Sequence, residues 1–227
     1  MKSKSKKIIV ALDNSNLNKT LKIVKNLKTE AFAFKIGYEF FLNHGLDGYK
    51  KIKKISTKIF LDLKLHDIPN TVGKGVKAIE KLKPLMTTVH ISGGDDMMRE
   101  SILYRNYTKI LGVSVLTSLD EKQTKKIYNE NNIESLVKKF VRQAIKQNLD
   151  GIVCSPKEIK YVRQIVNDKF LIVTPGIRLK SAKDDQKRIL SPSEAINLGA
   201  NYLVIGRPIL DAQNPLEELK KINRSLK

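Results

Sequence analysis

The sequence predicts a (β/α)8 barrel, on three observations. Eight short runs rich in Ile, Leu and Val recur from end to end, helical periods separate them, and no linker or low-complexity break divides the chain. The runs are residues 7–13, 32–37, 58–64, 86–92, 109–117, 151–155, 170–177 and 202–206. Each is near-continuously apolar, as parallel strands covered on both faces should be. An open doubly wound sheet is the competing arrangement, but no Gly-rich phosphate loop follows the first run. Eight βα units in 227 residues also suit closure, since barrels commonly take about 200–250 residues as one domain. Residues 1–227 are therefore read as a single domain with a flexible basic tail at 1–6.

Taken in order, the first run ends in Asp13 and the second carries Lys35. The third, Phe60-Leu61-Asp62-Leu63-Lys64, is followed by Leu65-His66-Asp67-Ile68-Pro69-Asn70-Thr71. Side chains two apart share a strand face, so Asp62 and Lys64 are expected to point into the barrel mouth, with Leu61 and Leu63 toward the helices. The clearest helix is 135–149, where Leu136, Val137, Phe140, Val141, Ala144, Ile145 and Leu149 recur at three- and four-residue spacing. Ser118 with Glu121, Ser155 with Glu158 and Ser191 with Glu194 read as capping boxes, and Pro156 and Pro192 occupy the favoured first helical position. Residues 178–190 (RLKSAKDDQKRIL) are polar and aperiodic, at a length of about 12–15 residues where an unstructured connection is usually either a functional lid or disordered; it is read here as a lid.

Composition narrows the class. With 43 Lys+Arg against 23 Asp+Glu the formal charge is +20, on a chain 41% apolar and 29% charged, so a sizeable core is available. The charge invites a nucleic-acid reading. Its distribution opposes one: 35 of the 43 basic residues are lysines spread over the predicted helices beside apolar positions, without the Arg and interleaved aromatics of base readout and stacking. Neither nucleic acid nor a membrane is expected as a partner, because no apolar run approaches the roughly 20 residues of a spanning helix. Cys154 stands alone, and His44, His66 and His90 are scattered, so no metal-ligand set appears. Met1–Lys7 leads only into Ile8–Leu12, which Asp13 closes, too short for a secretory signal. A reducing, cytoplasmic location is expected.

In a barrel of this kind the chemistry sits at the C-terminal ends of the strands. There the sequence gathers Asp13, Lys35, Asp62, Lys64 and Asp67, three carboxylates and two ammoniums from three consecutive strands. Burying several ions costs several kcal/mol each, roughly, unless function retains them.

The segment Asp62 to Thr71 resembles the DxKxxDIPxT signature of orotidine 5′-phosphate decarboxylase. Asp13, Lys35, Val115-Leu116-Thr117-Ser118, Pro175-Gly176-Ile177-Arg178, Gln186 and Gly206-Arg207-Pro208-Ile209 match that family's other motifs in order, over residues 8 to about 215. The resemblance implies conversion of orotidine 5′-phosphate to UMP and CO2, the last step of UMP synthesis, without metal or organic cofactor. It implies Lys64 as proton donor to C6, Asp62 and Asp67 as its flanking carboxylates, and Lys35 and Asp13 as partners of the ribose hydroxyls. Thr117 is implied as a partner of the pyrimidine, although by itself it reads equally as a helix-entry threonine. Gly206 and Arg207, with Arg178 and Gln186 of the lid, are implied to hold the phosphate. A homodimer with shared sites is also implied, Asp67, Ile68 and Thr71 being delivered to the neighbouring chain's site. The Mg2+-dependent sugar-phosphate branch of the same superfamily shares Asp-x-Lys-x-x-Asp but has an acidic metal ligand on the second strand and Ala-Gly after the last Asp. This chain has Lys35 and Ile68-Pro69 there. Of the remaining residues, Cys154 reads as a small buried hydrophobe, His66 as an orienting group for the loop of Asp67, and His90 as either a site or a packing residue.

Overall fold

In the computed structural model, which describes residues 6–177 and 190–226, eight parallel strands close on themselves in chain order. They are β1 (Ile8–Ala11), β2 (Ala33–Ile36), β3 (Ile59–Leu65), β4 (Met86–His90), β5 (Lys109–Val113), β6 (Gly151–Val153), β7 (Leu171–Thr174) and β8 (Tyr202–Ile205). β8 returns to β1 with Ile9 opposite Val204, which closes the barrel. Helices α1 (Leu17–Leu27), α2 (Tyr38–Lys53), α3 (Pro69–Glu80), α4 (Asp95–Leu103), α5 (Glu121–Tyr128), α6 (Ile133–Lys146), α7 (Ile159–Arg163), α8 (Pro192–Asn197), α9 (Arg207–Leu210) and α10 (Pro215–Ser225) lie between and after the strands. None of the described helices is long and apolar enough to cross a membrane.

Alternation along each strand divides the apolar residues into two layers. Ile9, Ala11, Ala33, Phe60, Met86, Leu111, Val173 and Val204 fill the barrel interior. Ile8, Val10, Phe34, Leu61, Val89, Ile110, Ile152 and Leu203 face outward to the helices, beside Val137, Val141 and Ala144 of α6. The apolar runs are longer than the strands because burial outlasts pairing. Val115 is buried two residues beyond the end of β5, in the outer layer. Likewise Leu149 is buried past α6, which stops at Lys146 before Asn148 turns into the left-handed region at φ 58°.

Two of the three expected capping boxes form. Ser155 with Glu158 caps the 3-10 turn Pro156–Glu158 that leads into α7, and Ser191 with Glu194 caps α8. Ser118 does not cap a helix. It lies in a turn, and the residue that caps α5 comes two positions later, Asp120 accepting from the Gln123 amide and Gln123 answering with its side chain. A carboxylate beside the helix N-terminus serves that end at least as well as a hydroxyl. Several helical lysines lie on outer faces as the distribution of charge suggested: Lys50, Lys51, Lys54, Lys139, Lys146 and Lys221 are exposed. Lys53 departs from that pattern, reaching the carbonyls of Leu82 and Lys83 beyond α3, and burial lowers its pKa.

Candidate active site

Each inward strand face changes character on the way up. β1 runs Ile9, Ala11, then Asp13; β2 runs Ala33, Lys35; β3 runs Phe60, Asp62; β4 runs Met86, Thr88, His90. The apolar members form the floor, and the polar ones emerge together at the C-terminal end.

There the four charges of three strands form one alternating chain. The Lys35 ammonium lies 3.2 Å from Asp13 Oδ1 and 3.8 Å from Asp62 Oδ2, and the Lys64 ammonium donates to Asp62 Oδ2 at 2.8 Å. Asp62 is the buried centre, its side chain 9% exposed, while Lys64 is 29% and Asp13 52% exposed. Asp62 is thus held from two sides by ammoniums, and Lys64 keeps a face toward the open mouth. Gly37 allows this close approach: a Cβ there would sit 2.9 Å from Lys35 Nζ and 3.3 Å from Asp13 Oδ1.

Strict alternation was expected to put Asp62 and Lys64 on one face, but β3 is not regular there. Leu61 pairs with Thr87 and Leu65 with Val89, so four steps of β3 span two of β4, and Lys64 takes a left-handed backbone with φ 44°. A bulge, rather than plain pleating, turns the Lys64 ammonium back onto Asp62. Two residues overlooked in the sequence support it. Thr88 donates its hydroxyl to Asp62 Oδ1 and accepts the Lys64 N–H, both at 2.9 Å, and the Tyr38 hydroxyl donates to the Leu63 carbonyl at 2.8 Å. Burial and then the nearby Asp62 charge raise the Tyr38 pKa. Thr88 was legible in principle, since it stands between Met86 and His90 on the inward face of β4.

The remaining expected residues separate into three groups. Asp13, Lys35, Gly206 and Arg207 line one cleft of about 950 Å³, shared with Ala11, Pro175 and Asp211. Gly206 is the residue from which α9 starts, and the Arg207 side chain is exposed. Thr117 is not at the end of β5, which stops at Val113; it lies in the following turn and lines an adjoining pocket of about 590 Å³ with Glu158 and Tyr161. Gly176 borders both hollows. The third group is Asp67, Ile68 and Thr71, all exposed around the start of α3. Asp67 Oδ1 accepts the neighbouring Ile68 N–H at 2.6 Å; among the described residues it joins none of the ion pairs, and Lys64 is paired with Asp62. Arg178 and Gln186, and the expected lid apart from Leu190, lie outside the described residues.

His66 stacks on His90 with ring centroids 5.0 Å apart. Desolvation above all, then the charges of His66 and Lys64, lower the His90 pKa to about 4, so at neutral pH its imidazole is uncharged and packs beside the site. Cys154 is buried, and its burial keeps the thiol protonated.

Residues 6–222 match the sequence model of the orotidine 5′-phosphate decarboxylase / HUMPS family. Among curated proteins, the orotidine 5′-phosphate decarboxylase of Wolbachia pipientis is 43% identical over 221 residues, covering 96% of this chain and 98% of that protein. That of Ehrlichia canis is 42% identical over 221 residues, covering 96% and 97%. The crystal structure of orotidine 5′-phosphate decarboxylase from Lactobacillus acidophilus superposes with a TM-score of 0.85 at 34% identity, covering 98% of this chain and 99% of the other.

Proposed function

The chain belongs to the orotidine 5′-phosphate decarboxylase / HUMPS family, and from that premise we propose that it converts orotidine 5′-phosphate to UMP and CO2 with Lys64 as proton donor. The observation that carries the reading is the Lys64 ammonium, held 2.8 Å from a buried carboxylate at the mouth of the barrel. When the bond from C6 to the carboxylate breaks, its electron pair stays on C6. A fixed ammonium beside that carbon stabilises the developing charge and then gives it a proton, leaving a neutral amine that solvent reprotonates. Asp62 accepts a hydrogen bond from the Lys64 ammonium and so fixes its place in the resting site. Its negative charge beside the substrate carboxylate adds a ground-state stress that departure of CO2 relieves.

Asp13 and Lys35, on the cleft that leads to Arg207, suit two ribose hydroxyls as acceptor and donor. Beyond them the Gly206 and Arg207 amides and the Arg207 guanidinium suit the phosphate. The Mg2+-dependent branch of the family is the less favoured reading, because the Lys35 ammonium between Asp13 and Asp62 would repel a divalent cation.

The working unit in this proposal is a homodimer in which Asp67, Ile68 and Thr71 of each chain complete the neighbour's site. Ile68 is 66% exposed, and on α2 Tyr38 and Leu42, with Leu46 beyond a kink at Gly45, are exposed by 53%, 79% and 49%. Apolar side chains this open suit an interface. We place the enzyme in the cytoplasm, where a phosphorylated substrate is confined.

The test is the loss of orotidine 5′-phosphate absorbance in excess EDTA. The parent should retain its rate there, and Lys64→Ala should lose most turnover while still binding UMP. Abolition by EDTA, or a parental rate for Lys64→Ala, would overturn the proposal.

A further inference from the structure

We propose that Thr88 is a positioning residue for the decarboxylation, holding Asp62 and Lys64 in register through a single hydroxyl. The inference rests on the role proposed for Lys64. The bulge in β3 removes the Lys64 N–H from the regular ladder with β4, and the left-handed backbone at φ 44° is costly for a long side chain. Something must accept that N–H. Thr88 Oγ1 does so at 2.9 Å, and because an amide can only donate, the threonine proton is free to go to Asp62 Oδ1, also at 2.9 Å. Asp62 Oδ2 in turn takes the Lys64 ammonium at 2.8 Å. The contacts form a ring: hydroxyl, carboxylate, ammonium, and the lysine's own backbone back to the hydroxyl.

Thr88 is fully buried, so it lies out of reach of a substrate and acts through its two neighbours. Its β-branch restricts χ1, which keeps the hydroxyl aimed at both partners. The opposite face of β4 uses a threonine differently: Thr87 donates to the backbone carbonyl of Leu61 at 2.8 Å. Valine at position 88 would preserve shape and branching while deleting both hydrogen bonds. Serine would preserve the bonds with a freer rotamer.

The experiment compares Thr88→Val, Thr88→Ser and Lys64→Ala for kcat, KM and UMP affinity on protein with a cooperative melt. Thr88→Val should lower kcat about 10–100-fold, the loss expected for a hydrogen bond to a charged group, with UMP affinity at the parental level. Thr88→Ser should recover most of the rate. In an Asp62→Asn background, where the charged partner is gone, the valine substitution should cost much less. Should the valine variant melt below the assay temperature, Thr88→Ala against Thr88→Ser makes the same comparison. A parental kcat for Thr88→Val, a serine variant no better than valine or alanine, or equal losses in both backgrounds would overturn the proposal. If instead Lys64→Ala kept its rate, the role of Lys64 itself would fall, which the Thr88 variants alone would not show.

Discussion

Replacing Asp62 by Asn removes one negative charge from the centre of the chain Asp13, Lys35, Asp62, Lys64 and changes little else. The carboxylate stands 2.8 Å from one ammonium and 3.8 Å from another. At an effective dielectric constant of about 20 those separations correspond to gross attractions of about 6 and about 4 kcal/mol. Desolvation of a side chain only 9% exposed offsets much of that sum. An asparagine amide keeps one acceptor for Lys64, so the expected net loss is the difference between charged and neutral hydrogen bonds, about 1–2 kcal/mol for each ammonium. Turnover should therefore fall about 30–900-fold, from about 2–4 kcal/mol in all at 1.36 kcal/mol per decade. The fold should survive: Lys35 retains Asp13 at 3.2 Å, and Lys64, 29% exposed, can turn to water, so Tm should move by about 2–4 °C. Initial rates of orotidine 5′-phosphate consumption beside a thermal melt measure both. A parental kcat in a folded variant, or an effect confined to KM, would refute the view that this charge acts on the chemical step.

Gly37→Ala should leave the melt almost unchanged, because φ is −102° and only the mobile ends of Lys35 and Asp13 must yield, while kcat/KM drops about tenfold from their displacement; an unaltered rate would show that their separation is unimportant. Mixing inactive Lys64→Ala and Asp67→Ala chains should restore activity in hybrids, since one site per hybrid dimer then holds both native residues. No recovery after verified subunit exchange would mean that each chain builds its own site. For His90, whose pKa drops from 6.5 to about 4 in the folded chain, the unfolded state takes up the proton first as pH falls. The stabilising contribution is complete above about pH 6.5 and disappears on the way down to about pH 4, so Tm of the parent should fall more steeply across that window than Tm of His90→Phe. Parallel curves would exclude the histidine as the cause.

The order of elements was legible because burial on both faces of a parallel strand writes a short apolar run, and eight such runs are hard to arrange otherwise. The residues of the charged chain were legible for a similar reason: Asp62 interrupts an apolar run where only an ion with a use is tolerated. Ser118 misled because a capping pattern at one spacing competes with another two residues on, Asp120 and Gln123, and local sequence does not rank them. The end of β5 was overrun because Val115 is buried without being paired.

By itself, then, the sequence determined the barrel and the gathering of Asp13, Lys35, Asp62 and Lys64 at the C-terminal ends of its strands. Only the tertiary structure decided how they meet. The bulge in β3, the hydroxyl of Thr88 from the next strand, and the place of Asp67 outside the ion pairs among the described residues are relations between strands and surfaces that no single segment reports. Alternation reports which face a residue occupies. The distance across the barrel mouth depends on register, twist and the local irregularity of the neighbouring strand, and these are set by packing rather than by the pattern of any single segment.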